Sequence, residues 1–475
     1  MARSVQVQQK LHRLDADQLD IIVIGAGLGG LGAAISLLLA GHRVHVLESA
    51  SQIAEIGAGI QVLPNSSRVL IQWGLEDKLK RYATCPKQAN MLGWKGDNIS
   101  FMDFVGASAE YGTPFWDFHR ADLHRSLLER TEELGGTFQI NSRVVDVEFS
   151  EEGDGSATVV LQTGERLHAD LVVGADGLHS RCREILLGKP SPPTPTGDLA
   201  YRLLLNTQDM AKDPELAPFL DGHEVRYWMG PQAHAGKFIN YVLRNGELFN
   251  MVLLVPDDMP AGATTLQGNV EEMRAFFKDW DPRIPKLLNL CQSVQKWKLC
   301  YRPGLETSWS HPSGTFALLG DAVHATLPYL ASGAGMSLED GMTLGLCFAR
   351  LRSRSAQEKK LALRVYEACR RERTESIVER GNVQQMLYHL DDGKEQRARD
   401  ERFKAFGEVE KKIRESGGRA EDILLPEGLI GGTDPLVWRR NGVGRWLLNF
   451  DCLADVDAHW PLREEFGTEP ARAQL

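Results

Sequence analysis

Residues 25–30 read Gly25-Ala26-Gly27-Leu28-Gly29-Gly30, and this stretch indicates the fold class of the chain. It follows the β-branched run Ile21-Ile22-Val23-Ile24 and precedes a long apolar stretch from Leu31 to Ala40. This order predicts a buried strand, a tight turn and a buried helix. Arg43-Val44-His45-Val46-Leu47-Glu48 then predicts a second, parallel strand, which completes a βαβ unit.

Gly25, Gly27 and Gly30 occupy the three glycine positions of a dinucleotide-binding turn. The first glycine permits the tight turn, the second lets the backbone approach a pyrophosphate, and the third lets the helix pack on the strand. The helix N-terminus then faces the anion. Glu48 ends the second strand, where a carboxylate can bind a ribose hydroxyl and disfavours a 2′-phosphate. These residues therefore predict a site for FAD or NAD rather than for NADP.

Composition excludes several classes of protein. The chain has 475 residues, of which 43% are hydrophobic and 25% charged, and this length predicts two or three domains. The formal net charge of −10 argues against a nucleic-acid partner. The N-terminal residues show no secretory signal, and glycines interrupt the one long uncharged stretch, so we expect a cytoplasmic protein without a membrane span. The seven cysteines are scattered and form no C-x-x-C pair, so neither a disulfide framework nor a metal site is predicted.

Two later segments repeat the pattern of a strand that ends in a polar turn. Asp170–Gly177 carries a strand into Asp176-Gly177, and Thr315–Leu319 leads into Gly320-Asp321. A carboxylate at a strand end can accept hydrogen bonds from sugar-type hydroxyls, although a helix cap is an equally common use of aspartate there. Gly333-Ala334-Gly335 then opens a long helix.

These motifs, together with the glycine turn, resemble those of the single-component FAD-dependent monooxygenases, the flavoprotein aromatic hydroxylases. The salicylate hydroxylase branch with its fungal relatives is the most similar group. Smaller matches occur at Glu55–Gln61 and at His119–Leu123. The resemblance implies an α/β fold: a Rossmann-like FAD-binding domain of the p-hydroxybenzoate hydroxylase type, with an inserted β-sheet substrate domain and a helical C-terminal region.

We expect four segments along the chain. Residues 18–190 form the first part of the FAD-binding domain and residues 198–301 the substrate-binding β-sheet domain. Residues 302–352 return to the FAD-binding domain, and residues 353–475 form the C-terminal helical region. The boundary after the first segment rests on four prolines within Lys189–Gly197, which predict a stiff connector.

The resemblance assigns cofactor contacts beyond the glycine turn. It implies that Arg120 contacts the FAD phosphates, that the main chain of Val144 reads the adenine, and that Asp321 binds the ribityl chain and pyrophosphate. Backbone N–H groups of Gly333–Gly335 would face the flavin pyrimidine edge. Asp176 is linked in this family to both FAD and NAD(P)H, while a purely structural turn stays open as its alternative. The predicted cofactor-binding residues are Gly25, Gly27, Gly30, Glu48, Gly59, Arg120, Val144, Asp176, Asp321, Gly333, Ala334 and Gly335.

The resemblance also implies the reaction. NAD(P)H, a transient co-substrate, reduces FAD, and O2 then forms a flavin C4a-hydroperoxide that hydroxylates a phenolic or heteroaromatic small molecule, in secondary metabolism. Epoxidation or dearomatising hydroxylation on the same scaffold is an alternative, as is a flavin-dependent dehydrogenase or halogenase. A non-enzymatic nucleotide sensor is disfavoured by flavin motifs at both ends of the chain. The expected partners are a small aromatic substrate and O2, and the protein is expected to be a monomer or a homodimer.

Three residues are catalytic candidates. Arg202, on the first strand after the connector, could bind a phenolate or carboxylate, with a surface arginine as the alternative. Tyr241 could hydrogen-bond the substrate, although a core tyrosine has the same pattern. His324 follows Asp321 by three residues and is the acid/base candidate by location, with a packed histidine as the alternative. His234 resembles a histidine common in this branch.

Overall fold

The structure is a computed structural model in which residues 18–53, 58–150, 155–231, 237–417, 419–420, 423, 436, 438–440 and 443–460 are described. The strands in chain order are β1 Asp20–Ile24, β2 Arg43–Leu47, β3 Gly59–Val62, β4 Gln88–Gly93, β5 Asn98–Asp103, β6 Trp116–His119, β7 Thr137–Gln139, β8 Val144–Phe149, β9 Ala157–Leu161, β10 Arg166–Ala169, β11 Leu171–Gly174, β12 Thr194–Asn206, β13 Val225–Met229, β14 Lys237–Leu243, β15 Leu248–Pro256, β16 Thr265–Gly268, β17 Val294–Tyr301 and β18 Phe316–Leu318.

The helices in chain order are α1 Leu28–Leu39, α2 Pro64–Gln72, α3 Glu76–Leu79, α4 Phe104–Tyr111, α5 Arg120–Glu133, α6 Arg181–Leu187, α7 Thr207–Met210, α8 Val270–Phe276, α9 Arg283–Asn289, α10 Asp321–His324, α11 Gly333–Phe348, α12 Ala356–Tyr388, α13 Lys394–Ser416, α14 Val443–Leu448 and α15 Cys452–His459. None of these helices combines the length and the apolar character needed to cross a bilayer.

A parallel five-stranded sheet in the order β18-β11-β1-β2-β7 forms the first layer. Its central strands are continuous apolar runs that lie in the largest hydrophobic core of the described residues. Helix α1 packs on β1 and β2, α11 packs on α1, and the three-stranded sheet β10-β9-β8 contacts β1 and β11. The chain runs outward from β1 to β2 on one side, whereas β11 and β18 lie on the other side. The strand order therefore reverses at β1, where parallel sheets usually bind their ligands.

An eight-stranded sheet in the order β16-β17-β12-β15-β14-β13-β4-β5 forms the second large layer. Neighbouring strands are antiparallel except for β13 and β4, which run parallel. Strands β4 and β5 lie within residues 18–190, the segment assigned from the sequence to the FAD-binding domain, yet they extend this second sheet. The chain therefore crosses between the two layers more often than a simple insertion requires.

The proline-rich connector is partly a strand. Thr194 and Pro195 pair with β17 as the beginning of β12, and the register shifts before Leu199. Among the described residues, β17 is the strand that pairs with this part of β12, and the pairing with β15 begins at Asp198. Pro195 therefore lies where one strand edge is unpaired, which is where a sheet tolerates a residue without an N–H group.

Candidate active site

The carboxyl ends of four parallel strands line one side of a cavity of about 590 Å³. Glu48 follows β2, Gly25 follows β1, Asp176 follows β11 by two residues, and Asp321 follows β18 by three. These strands are neighbours in the sheet, and adjacent strands lie about 4.8 Å apart. Three such intervals spread the four residues over about 14 Å, which suits an elongated ligand.

The three glycines of the turn lie in three different surroundings. Gly25 has a φ of +104°, and a Cβ there would lie 2.5 Å from the carbonyl oxygen of Ala175. A Cβ on Gly30 would lie 1.9 Å from the carbonyl oxygen of Gly25, so this glycine permits close packing without lining the cavity. At Gly27, by contrast, no packing neighbour among the described residues lies within 4 Å of where a Cβ would be. Gly27 therefore faces open space at the start of α1, whose first N–H groups lack partners within the helix.

Glu48 is held rigidly beside this turn. One carboxylate oxygen accepts a hydrogen bond from the backbone N–H of Ala26 at 3.0 Å, and the other accepts one from Ala50 at 2.8 Å. The hydroxyl of Ser49 donates to the same group at 3.1 Å. The carboxylate thus keeps one orientation at the cavity wall, although the sequence predicted only its position.

Asp176 and Asp321 differ in how they are used. One oxygen of Asp176 accepts from the Ser180 hydroxyl at 2.5 Å, and the other accepts from the backbone N–H of Cys182 at 2.9 Å. These bonds hold the start of α6, which is the structural alternative, and the residue also lines the cavity. Asp321 is exposed at the beginning of α10 and lines the cavity after Gly320, whose φ is +64°.

The Gly333–Gly335 segment is divided between the cavity and the protein interior. Gly333 and Ala334 line the cavity at the N-terminus of α11, where backbone N–H groups are available to a ligand. Gly335 does not line it, and a Cβ at that position would lie 2.2 Å from the Ser66 hydroxyl oxygen. Gly335 therefore permits close packing against α2, and the cofactor contact predicted for its backbone stays a prediction.

Arg120, Val144 and Gly59 also reach the cavity. Arg120 is the first residue of α5, and Val144 begins β8. Gly59 donates its N–H to the side-chain oxygen of Asn250 at 2.8 Å, and a Cβ there would lie 2.5 Å from the Tyr241 hydroxyl. A side chain at position 59 would therefore clash with the eight-stranded sheet, which approaches this backbone closely.

The opposite wall of the cavity is one face of the eight-stranded sheet. Arg202, Val252, Ile239 and Tyr227 form a single row across β12, β15, β14 and β13. Tyr241 lies in the next row, and all five residues line the cavity. The guanidinium carbon of Arg202 lies 4.9 Å from the centre of the Trp297 ring, a cation–π distance. The structure thus places Arg202 and Tyr241 on the same wall of the cavity, and their catalytic roles stay predictions.

His324 is placed differently from the prediction. It is buried, does not line the cavity, and bonds through Nε2 to a carboxylate oxygen of Asp340 at 2.6 Å. The same oxygen accepts the backbone N–H of Gly320 at 3.0 Å. Because a carboxylate only accepts, Nε2 carries the proton. The role that this geometry supports is the packed histidine, which holds the turn before Asp321, and not the acid/base catalyst.

A buried ion network surrounds this histidine. Arg370 donates to Asp340 at 2.8 Å and to Glu339 at 2.7 Å, and Arg373 and Asn65 also donate to Glu339. Burial by itself raises the pKa values of Glu339 and Asp340, but the neighbouring positive charges reverse this, so that both lie below their ordinary values. The network joins the Gly320 turn, α2, α11 and α12 into one support for the cavity.

Sequence reasoning missed several cavity residues. Arg143, Arg181 and Tyr227 line the cavity, and Gln61 was noted only within a longer motif. Residue alternation within β13 places Tyr227 on the face opposite Trp228, but only the packing of the two sheets shows which face meets the cavity. The segment Glu55-Ile56-Gly57, His234 and residues 461–475 lie outside the described residues.

Comparison with known proteins agrees with this geometry. The family described as FAD binding domain matches residues 18–381. The FAD-dependent monooxygenase OpS4 of Beauveria bassiana (strain ARSEF 2860) is 41% identical over 391 residues, which cover 81% of this chain and 89% of that protein. The chain belongs to the FAD-dependent monooxygenases. This confirms the predicted family, cofactor and enzyme class, in which NAD(P)H is the co-substrate and one oxygen atom is incorporated.

Two further relatives extend the comparison for this monooxygenase. The 3-hydroxybenzoate 6-hydroxylase of Polaromonas naphthalenivorans (strain CJ2) is 32% identical over 374 residues, covering 78% of this chain and 88% of that protein. A solved salicylate hydroxylase substrate complex has a TM-score of 0.72 at 21% identity, covering 96% of this chain and 99% of that chain. The predicted fold class is thereby confirmed.

The residues of this monooxygenase fit FAD. The open space at Gly27 suits a pyrophosphate, the fixed carboxylate of Glu48 suits a ribose, and the N-terminus of α11 offers backbone donors. When bound, FAD supplies the redox and oxygen chemistry. The individual contacts assigned to Gly25, Arg120, Val144 and the other cofactor residues stay predictions, which the lining of the cavity supports.

Proposed function

We propose that this monooxygenase hydroxylates a small aromatic compound that carries a hydroxyl or acidic group, using NAD(P)H and O2. The observation that carries the proposal is the sheet face of the cavity, where a few polar groups stand on an apolar wall. Such a wall holds an aromatic ring, and the polar groups orient it. The apolar lining residues on this face are Ala200, Ile239, Val252, Leu254 and Leu299.

Each polar residue has a distinct proposed role in the reaction. The positive charge of Arg202 stabilises a phenolate or carboxylate, and a phenolate is the more electron-rich ring for oxygen insertion. The Tyr241 hydroxyl donates a hydrogen bond to an oxygen of the ring, and burial raises the pKa of Tyr241 well above its ordinary value, so it stays protonated. The apolar wall excludes water from the reacting ring.

The relatives support an aromatic substrate. One acts on a hydroxybenzoate by its name, and the solved structure is that of a salicylate hydroxylase with its substrate. The similarity to OpS4 of a fungus supports a place in secondary metabolism. A cytoplasmic location and a monomeric or homodimeric state stay part of the proposal.

A turnover assay tests the proposed reaction. The FAD-loaded protein is mixed with NADH or NADPH in the presence of simple phenols, hydroxybenzoates and hydroxyindoles under ¹⁸O2. We expect at least one aromatic compound to accelerate NAD(P)H oxidation and to gain one labelled oxygen atom on a ring carbon. Oxidation without labelled product would contradict hydroxylation. An epoxide or a dearomatised product, identified by NMR, would replace it with the alternative on the same scaffold.

Replacement of Arg202 by methionine is expected to lower kcat/KM for a hydroxybenzoate substrate by about 10- to 100-fold, because a charge-assisted hydrogen bond contributes about 1.5–3 kcal/mol. The methyl ester of the same compound, which lacks the carboxylate, serves as the substrate control and is expected to lose much less. Arg202→Lys should restore part of the activity towards the acid. Equal losses for acid and ester would contradict recognition of an anion by Arg202.

A further inference from the structure

A chain of hydrogen bonds lies behind the cavity wall. The hydroxyl of Tyr227 donates to Oε1 of Gln61 at 2.9 Å, and Nε2 of Gln61 donates to Oδ1 of Asp117 at 3.1 Å. The three residues are almost completely buried, with exposed fractions of 3%, 8% and 1%. Tyr227 and Gln61 line the cavity, whereas Asp117 lies behind them.

Strand pairing holds these three hydrogen-bonded residues in place. Gln61 on β3 and Asp117 on β6 are direct partners in an antiparallel pair. Tyr227 comes from β13 of the eight-stranded sheet, whereas β3 and β6 form a separate two-stranded sheet. The hydrogen bond from Tyr227 to Gln61 joins these two sheets. Its side chain has little freedom, because the ring of Trp438 packs edge-on against it with the ring centres 5.4 Å apart.

The chain has a defined direction. The amide nitrogen of Gln61 faces Asp117 and donates to it, and the amide oxygen of Gln61 faces Tyr227. Burial raises the pKa of Asp117 well above its ordinary value, and the hydrogen bond from Gln61 acts against this rise. A tyrosine hydroxyl has one hydrogen, and Tyr227 uses it towards Gln61. Burial raises the pKa of Tyr227 well above its ordinary value, so the hydroxyl keeps this hydrogen. What Tyr227 can offer to a ligand is therefore an oxygen lone pair.

Tyr241 provides the contrast. Within the described residues its hydroxyl forms no hydrogen bond, although it lies close to Gly59. Its hydrogen can therefore be donated to a ligand. On the same cavity wall, the Tyr227 hydroxyl can accept a hydrogen bond from a ligand and the Tyr241 hydroxyl can donate one. Ile239 lies next to Tyr227 in the same row.

We infer that Tyr227 is a specificity-determining residue that accepts a hydrogen bond from a hydroxyl or ring N–H of the aromatic substrate. Asp117 is a positioning residue that sets this polarity through Gln61. The inference rests on the proposed function, because it assumes an aromatic ligand in this cavity. It narrows the substrate class to rings with a free phenolic hydroxyl or ring N–H, since an O-methylated analogue has no hydrogen to donate to the Tyr227 oxygen.

Binding of matched ligand pairs tests the inference. The FAD-loaded protein is titrated with phenols and their methyl ethers, beginning with 3-hydroxybenzoate and 3-methoxybenzoate, and the change in flavin fluorescence reports the Kd. We expect the phenol of a pair to bind at least about tenfold more tightly than its ether. Tyr227→Phe should reduce this ratio to near one. Tyr201→Phe, on the opposite face of the same sheet with its hydroxyl bonded to Glu272, should leave the ratio unchanged.

The second pair of variants tests the role of Asp117. Asp117→Asn keeps an oxygen that can accept from Gln61 and should keep the ratio. Gln61→Met removes the group that accepts the Tyr227 hydrogen, so the ratio should fall because methyl ethers bind better. If Gln61→Met leaves the ratio unchanged, the hydrogen bonds behind Tyr227 do not set its role, whatever the result for Asp117→Asn.

Several outcomes would overturn the inference. These are methyl ethers that bind the wild-type protein as tightly as phenols, a ratio unaffected by Tyr227→Phe, or no binding of any phenol in the panel. The turnover assay separates this failure from failure of the proposed function. If the product carries the label but Tyr227→Phe does not change the ratio of the two Kd values, only the role of Tyr227 is overturned. A ratio that depends on Tyr227 without any labelled product overturns only the proposed reaction.

Discussion

Replacement of Arg370 by methionine is expected to lower the free energy of unfolding by about 3–5 kcal/mol, the cost of breaking a buried ion pair from one side. Arg370 is completely buried and pairs with both Glu339 and Asp340. Methionine fills much of the same volume but removes the positive charge that Glu339 and Asp340 share, so that Arg373 stays as the arginine partner of Glu339 and Asp340 loses its own. The loss should appear in urea unfolding of the FAD-free protein at neutral pH.

Arg364→Met provides the matched control, because Arg364 is exposed on the same helix α12. It is expected to change the unfolding free energy by less than about 1 kcal/mol, the usual range for an exposed ion pair. FAD affinity should also fall in Arg370→Met, because Asp340 holds the backbone N–H of Gly320 next to Asp321. If Arg370→Met has the stability of the wild-type protein, the ion network does not support the cavity.

Alanine at Gly27 and alanine at Gly30 are expected to fail in different ways. At Gly27 no packing neighbour among the described residues lies within 4 Å of where a Cβ would be, and the φ of −74° suits any residue. Gly27→Ala should therefore leave the stability of the FAD-free protein unchanged and still weaken FAD binding by about 100-fold or more, since the methyl group occupies the space of the pyrophosphate. Such a loss corresponds to about 2.8 kcal/mol.

Gly30→Ala is expected to disturb the turn itself. Its Cβ would lie 1.9 Å from the carbonyl oxygen of Gly25, so the backbone must shift before α1 can pack on β1. Both the melting temperature of the FAD-free protein and the Kd for FAD should therefore change. The measurements are thermal unfolding without FAD and FAD titration by fluorescence. If Gly27→Ala lowers the stability of the FAD-free protein as much as Gly30→Ala does, the separation of roles is wrong.

The cofactor motifs could be read from the sequence because each is local. A strand, a glycine turn and a helix lie within twenty-odd consecutive residues, and the carboxyl ends of parallel strands meet at one edge. Glu48, Asp176 and Asp321 were therefore placed at the cavity before any side chain was located. His324 and Gly335 do not line the cavity, and their places depend on contacts with Asp340 and Ser66, which lie on other helices and have no local signal in the motif.

The connector and the strands of residues 88–103 show a second limit. Prolines at Lys189–Gly197 indicated a break in regular structure, but β12 begins there because β17 pairs along one edge only. Strands β4 and β5 join the eight-stranded sheet through pairing with β13, which lies more than a hundred residues later. Pairing across such distances depends on the final packing and has no local signal.

The sequence by itself determined the family, the dinucleotide turn and the order of the cofactor residues, because these depend on short-range geometry. The tertiary structure alone decided which face of the eight-stranded sheet meets the cavity, and so joined Arg202, Tyr227 and Tyr241 into one wall. It also decided that Asp117 stands behind Gln61. The physical reason is that substrate recognition here uses hydrogen bonds between separate sheets, and their partners are chosen only when the sheets pack.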